Sequence, residues 1–248
     1  MKKWLKAMRL RTLPLASSVV FAGASTAWSS PNFSVSIFSL LWLTVLLLQI
    51  LSNLANDYGD YTHGTDNDQR VGPKRSVQAG EISPKQMKGA IILTSLLALI
   101  VGLCTLWLSF GVSTQLIMML VFTILGLASI AAAIKYTAGK NPYGYKGLGD
   151  LFVFVFFGLI GVIGVHFVLA HSWGWGALWN ALTIGALSTG VLNLNNLRDH
   201  VNDKQSGKNT IVVHLGFDKG KFYHYFILAI ASLGMIISAS FSQNWASL

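Results

Sequence analysis

The chain has 248 residues, of which 53% are hydrophobic and 11% charged, whereas a soluble domain carries about 25% charged residues. Its mean hydropathy is +0.56. These values exclude a disordered chain, a collagen-like chain and an ordinary soluble enzyme, and leave a polytopic membrane protein. A net charge of +9 would suggest a nucleic-acid partner in a soluble protein; here it reports topology, and no nucleic-acid partner is expected.

Apolar stretches at 12–29, 33–55, 89–109, 114–134, 149–170, 174–195 and 222–241 predict seven transmembrane helices in one all-α bundle. About 20 residues span a bilayer as helix. Lipid offers no partner to an unpaired backbone group, so helices are required. A β-barrel would alternate polar and apolar residues, and the runs at 40–48 and 151–159 do not. The first stretch follows Lys2, Lys3, Lys6, Arg9 and Arg11 and ends in small residues, which also fits a signal peptide. Arg11 and Pro14 lie close against the apolar run and favour an anchored helix. Cys104 stands alone, so no internal disulfide forms, and it reads as a buried small hydrophobe. His166 reads as a hydrogen-bonded core histidine.

All 18 Lys and Arg residues precede the first stretch or follow the second, fourth and sixth. By the positive-inside rule the N-terminus and these loops are cytoplasmic, which needs an odd number of spans. The acids share that side, so any chemistry belongs there.

Two polar clusters end apolar helices. Asn53, Asn56, Asp57 and Asp60 are spaced i, i+3, i+4 and i+7, and Asn196, Asp199 and Asp203 are spaced i, i+3 and i+7. Each set shares one face of a continuing helix. Neighbouring carboxylates repel unless a cation lies between them, and hard oxygen ligands suit Mg²⁺, which keeps waters and shares phosphate oxygens. Two such faces suit two Mg²⁺ ions around one diphosphate. The alternative, solvated helix ends paired with Lys and Arg, explains one cluster better than two matched ones. Arg11, Arg70, Lys74, Arg75, Lys140 and Lys208, with Tyr136 one turn before Lys140, are candidates to meet the anion, although topology alone accounts for any single one.

The run Asn56-Asp57-Tyr-Gly-Asp60, then Gly64-Thr-Asp66 and Arg70-Val-Gly-Pro73, resembles the first motif of the UbiA-type intramembrane prenyltransferases. Asn195-Asn196-Leu-Arg198-Asp199 with Asp203, followed by Gly207-Lys208-Asn-Thr210, resembles their second. The opening Arg9-Leu-Arg11-Thr-Leu-Pro14 and the segment from Tyr136 to Asp150 fit the menaquinone-synthesis branch. Gly64 stands where the wider superfamily has a third Asp, with Asp66 two residues later.

The resemblance implies transfer of a polyprenyl chain from its diphosphate to 1,4-dihydroxy-2-naphthoate with loss of CO₂. It implies catalysis by Asp57, Asp60, Asp199 and Asp203, with Asn53, Asn56 and Asn196 in the metal shell. An acceptor and cation-stabilising pocket is expected from Tyr58, Tyr61 and Asp66, with Tyr136 and Trp42 as further aromatic candidates. Location in the cell inner membrane, with a cytoplasmic active site, is expected. Family members typically have nine helices, so residues 1–248 read as one domain lacking the last two. Other readings are a family member with another acceptor, such as hydroxybenzoate or a haem or chlorophyll precursor, and a membrane transporter. A transporter would place charges mid-membrane, where these stretches carry none.

Overall fold

The computed structural model describes residues 1–68, 70–111 and 115–243. The described residues contain helices and no strand. They are α1 (Lys2–Met8), α2 (Leu13–Ala27), α3 (Val35–Thr62), α4 (Pro84–Phe110), α5 (Leu116–Lys135), α6 (Gly149–Ala170), α7 (Trp175–Gln205), α8 (Ile211–Leu215) and α9 (Phe217–Gln243). Every predicted stretch is a helix; the predicted start of the fourth, residue 114, lies outside the described residues.

Among the described residues six helices, α3 to α7 and α9, are long and apolar enough to cross a membrane. The chain is therefore a multi-pass membrane protein. The first predicted span is shorter than expected. At 15 residues, α2 reaches about 22 Å, against ~30 Å of hydrocarbon. It packs between α3, α6 and α7, with Ala16, Val19, Val20, Gly23, Ala24 and Ala27 buried.

Two helices outrun their predicted ends. α3 continues from 55 to Thr62 and α7 from 195 to Gln205. Those extra turns carry the polar clusters beyond the apolar bundle. Ser34 caps α3 by accepting a hydrogen bond from the Ile37 amide, and Ser83 with Gln86 forms a capping box on α4.

Close approaches fix the packing near the clusters. A Cβ on Gly59 would lie 2.5 Å from the Thr137 carbonyl carbon and 2.6 Å from its oxygen. Only glycine lets α3 meet the end of α5 there. Within α6, residues Phe154–Ile163 wind as a π-helix, which widens the turn facing the bundle interior. Cys104 is exposed rather than buried, because its face of α4 points away from the other helices. His166 is the expected core histidine: its Nδ1 lies 2.9 Å from the Thr26 hydroxyl.

Candidate functional site

The loops after α3, α5 and α7 converge on one carboxylate. Asp60 is 2% exposed. Its Oδ2 meets Arg75 at 2.5 Å, and its Oδ1 accepts from the Tyr145 hydroxyl at 2.8 Å and from Lys208 Nζ at 3.4 Å. Lys208 also sits 5.3 Å above the Tyr145 ring. The Thr65 hydroxyl lies 2.5 Å from the Tyr145 hydroxyl, the Asn209 amide donates to the Tyr145 carbonyl at 3.1 Å, and Asn202 Nδ2 donates to the Thr65 carbonyl at 2.9 Å. One knot thus ties the three loops.

The two clusters face this knot differently. Asp57 is consumed by its own chain: its oxygens accept from the Ser76 and Val77 amides at 3.1 and 3.2 Å. Asn53 is consumed likewise, donating to the Met8 carbonyl at 2.9 Å and the Thr12 hydroxyl at 2.8 Å. Asn56 accepts from Thr137 at 3.1 Å. On α7, Asp199 forms a bidentate pair with Arg198 at 2.8 and 2.6 Å. The buried Asp203 carboxylate and Asn196 side chain accept no hydrogen bond among the described residues. The buried Asn202 Oδ1 also lacks a partner.

Asp66 joins the first cluster through ion pairs to Arg70 at 3.2 Å and Arg75 at 3.1 Å. Neither oxygen accepts a well-aligned hydrogen bond. Burial pushes its carboxyl up to about 6 against the pull of Arg75. Burial opposes the charge on Arg75, yet Asp60 and Asp66 outweigh it and hold the guanidinium above its ordinary range. Burial and then Arg75 pull the Arg9 guanidinium down to about 9. One Arg9 nitrogen is buried without a hydrogen-bond partner.

An apolar cavity of about 350 Å³ opens beside these groups. Its polar lining includes Arg9, Thr12, Gln49, Asn53, Asn56, Tyr136 and Asn195, and Leu15, Val19, Leu48, Phe122, Tyr143, Phe152 and Phe156 are among the other residues that line it. The π-helical part of α6 contributes Phe156, Phe157 and Ile160. Burial first, then Asp60, raises Tyr136 well above its ordinary value, so its hydroxyl stays protonated.

Several predicted residues lie elsewhere. Arg11 and Lys140 are exposed and do not line the cavity. Lys74 is exposed and pairs with Asp68 at 2.8 Å. Tyr58 packs against the Leu51 and Leu54 cluster, Tyr61 is exposed, and Trp42 faces outward. Tyr145, Thr65, Asn202, Tyr143 and Arg9 are brought to the site without having been singled out for it. The pattern offered one signal, two tyrosines at Tyr143-Gly-Tyr145 in the polar loop just before apolar α6.

Among the described residues no three His, Cys, Asp or Glu side chains form a ready metal-ligand set. That does not disqualify Mg²⁺, which draws most ligands from water and phosphate. Asn202 Oδ1 is buried without a partner, and Asn196, Asp199 and Asp203 carry further oxygen donors of the hard kind one turn apart on the same helix.

The chain is 42% identical over 235 residues to the 1,4-dihydroxy-2-naphthoate octaprenyltransferase of Haemophilus influenzae, covering 94% of this chain and 75% of that protein. It is 44% identical to the Escherichia coli protein of that name, covering 91% and 72%. For the Mycobacterium leprae protein the identity is 36%, covering 99% and 80%. No solved structure matches. The profile of the UbiA prenyltransferase family matches residues 16–248, and the chain belongs to that family.

Proposed function

We propose that this chain transfers a polyprenyl group from polyprenyl diphosphate to 1,4-dihydroxy-2-naphthoate with loss of CO₂, giving a demethylmenaquinone skeleton. One observation carries the reading: Arg75, paired with the Asp60 that Lys208 also meets, donates at 2.8 Å to the carbonyl of Asn56, which lines the mostly apolar cavity. The naphthoate acceptor is supported by relatives bearing that name at 36–44% identity. Other aromatic acceptors have no comparable support.

The allylic C–O bond breaks with its electron pair leaving on the diphosphate. Asp60, Asp199 and Asp203, with Asn196 and Asn202, would hold Mg²⁺, which would supply the charge neutralisation that weakens this bond. Arg75, Lys208 and Arg9 take up the remaining negative charge. Asp57 acts by holding the loop in place, and Asn53, which also lines the cavity, ties the end of α1 and the start of α2 to α3. The electron-rich rings of Tyr136, Tyr143 and Phe152 face the cation from the cavity wall. The apolar chamber excludes water, so the acceptor ring carbon, rather than water, captures the cation. A C–C bond forms at the carboxyl-bearing carbon, and the carboxylate departs as CO₂. We further propose that the site faces the cytoplasm and that the host membrane is the inner membrane, on the one-sided placement of Lys and Arg.

The test is prenyl transfer in membranes containing the chain, with dihydroxynaphthoate or hydroxybenzoate as acceptor and EDTA as control. Product with dihydroxynaphthoate alone, lost on chelation and restored by Mg²⁺, is expected. Metal-independent product would overturn the Mg²⁺ assignment, and product with hydroxybenzoate alone would overturn the acceptor.

A further inference from the structure

α2 presents two different faces. Thr12, Leu15, Ala16 and Val19, spaced i, i+3, i+4 and i+7, line the cavity. Leu10, Leu13, Pro14, Ser17, Ser18 and Phe21 line a second, outward groove, closed on its other side by Trp42 and Leu46 of α3. The groove floor is aromatic and fixed. Phe21 lies 5.5 Å from Trp42 and 5.7 Å from Phe38, and the Trp42 indole donates to the Ser17 hydroxyl at 2.9 Å. With its N–H satisfied inward, Trp42 offers the groove an apolar ring.

Arg11 does not itself line this groove, but it follows Leu10, which does, directly in the chain. It lies in the short turn Leu10–Thr12 that leads into α2, three residues before Pro14 of the groove. It is exposed and makes no ion pair among the described residues. No acid lies within residues 1–56, and Lys2 and Lys3 are exposed on the neighbouring α1. Arg9, two residues earlier, lines the cavity instead. The left-handed turn at Arg9 (φ 49°) separates the two arginines.

We propose that this groove binds one anionic phospholipid, its phosphate on Arg11 and one acyl chain along Leu13, Ser17 and Phe21 against Trp42. Charge complementarity selects the occupant: an exposed cation without an ion pair adjoins, in the chain, the Leu10 end of an outward apolar groove, and a zwitterionic head group offers it no net charge. From Arg11 to Phe21 the channel runs about 15 Å along the helix, a length suited to an extended chain segment.

The experiment is native mass spectrometry of the detergent-solubilised chain titrated with phosphatidylglycerol or phosphatidylcholine of identical acyl chains. Phosphatidylglycerol is expected to bind about fivefold more tightly, the worth of one surface cation. Arg11→Gln removes that preference, Arg11→Lys retains it, and Trp42→Ala weakens both lipids alike. Equal binding of the two lipids by the unaltered chain, or a preference that survives Arg11→Gln, overturns the head-group assignment. Unchanged binding in Trp42→Ala overturns the groove. Thermal unfolding of each variant identifies any that fails to fold, and Leu46→Ala then replaces Trp42→Ala with the same expected loss.

Discussion

The Tyr145 hydroxyl donates to Asp60 Oδ1 at 2.8 Å across 85 residues of chain. The same tyrosine lies under the Lys208 ammonium, which reaches that oxygen from the other side. Removing the hydroxyl alone separates these roles. Tyr145→Phe keeps the ring and loses a hydrogen bond to a charged group, worth about 1.5–3 kcal/mol. The expected result is a fall of roughly 10- to 100-fold in kcat/KM for the prenyl diphosphate, with KM for the naphthoate nearly unchanged. Steady-state kinetics with each substrate varied in turn checks it.

Asp57 and Asp199 sit at corresponding places in the two motifs but do different work. Asp57 holds two backbone amides, whereas Asp199 holds only the adjacent Arg198. Asp57→Asn places an amide donor against an amide donor and costs about 1–3 kcal/mol of folding stability along with turnover. Asp199→Asn abolishes turnover while thermal unfolding stays within a degree or so of the parent. Unfolding curves beside activity measurements distinguish the two.

At Gly59, a Cβ would meet the backbone of Thr137, which has no rotamer with which to yield. Gly59→Ala should therefore destabilise by about 1–3 kcal/mol, despite the better helix propensity of alanine. It should also break the Thr137 hydrogen bonds to the Ala55 carbonyl and Asn56 Oδ1. Gly64→Ala, where no atom crowds the added carbon, serves as the comparison for backbone strain without a clash.

Asp66 gives a pH dependence of defined sign. In the folded chain it keeps its proton up to about 6, and in the unfolded chain it loses it near 3.9. Between those values the folded state carries more protons, so this contribution is complete below about pH 4 and is lost as pH rises through about 6. Its size is on the order of 2–3 kcal/mol. Relative to Asp66→Asn, the parent protein should lose stability between about pH 4 and pH 7, as read by thermal unfolding in detergent. Parallel curves for the two proteins would remove Asp66 as the titrating group.

The apolar runs and the i, i+3, i+4, i+7 spacing were enough to place seven helices and to put each polar cluster on a helix that outlasts its hydrophobic part. Spacing names a face, however, and not what that face meets. Asn53 and Asp57 share their face with Asp60, yet the first is taken by Met8 and Thr12 and the second by the loop at Ser76. Arg9 and Arg11 read alike until a single left-handed residue turns one inward. Tyr58 and Tyr61 lie beside the aspartates in sequence but rotate away from the cavity, where Tyr143 and Phe152 stand instead. Tyr145 was invisible because its partner lies 85 residues away, and no local pattern carries that distance.

The knot around Asp60 also sets an order of assembly during synthesis. Arg75 emerges 15 residues after Asp60, Tyr145 after 85 and Lys208 after 148. At about 5–20 residues per second, the last partner arrives roughly 7–30 s after the carboxylate. Arg75 is thus the first of these three hydrogen-bonded partners to be made, and the loops that carry Tyr145 and Lys208 follow it. A ribosome stalled between residues 75 and 145 would hold a chain in which Asp60 and Arg75 have been made but Tyr145 and Lys208 have not.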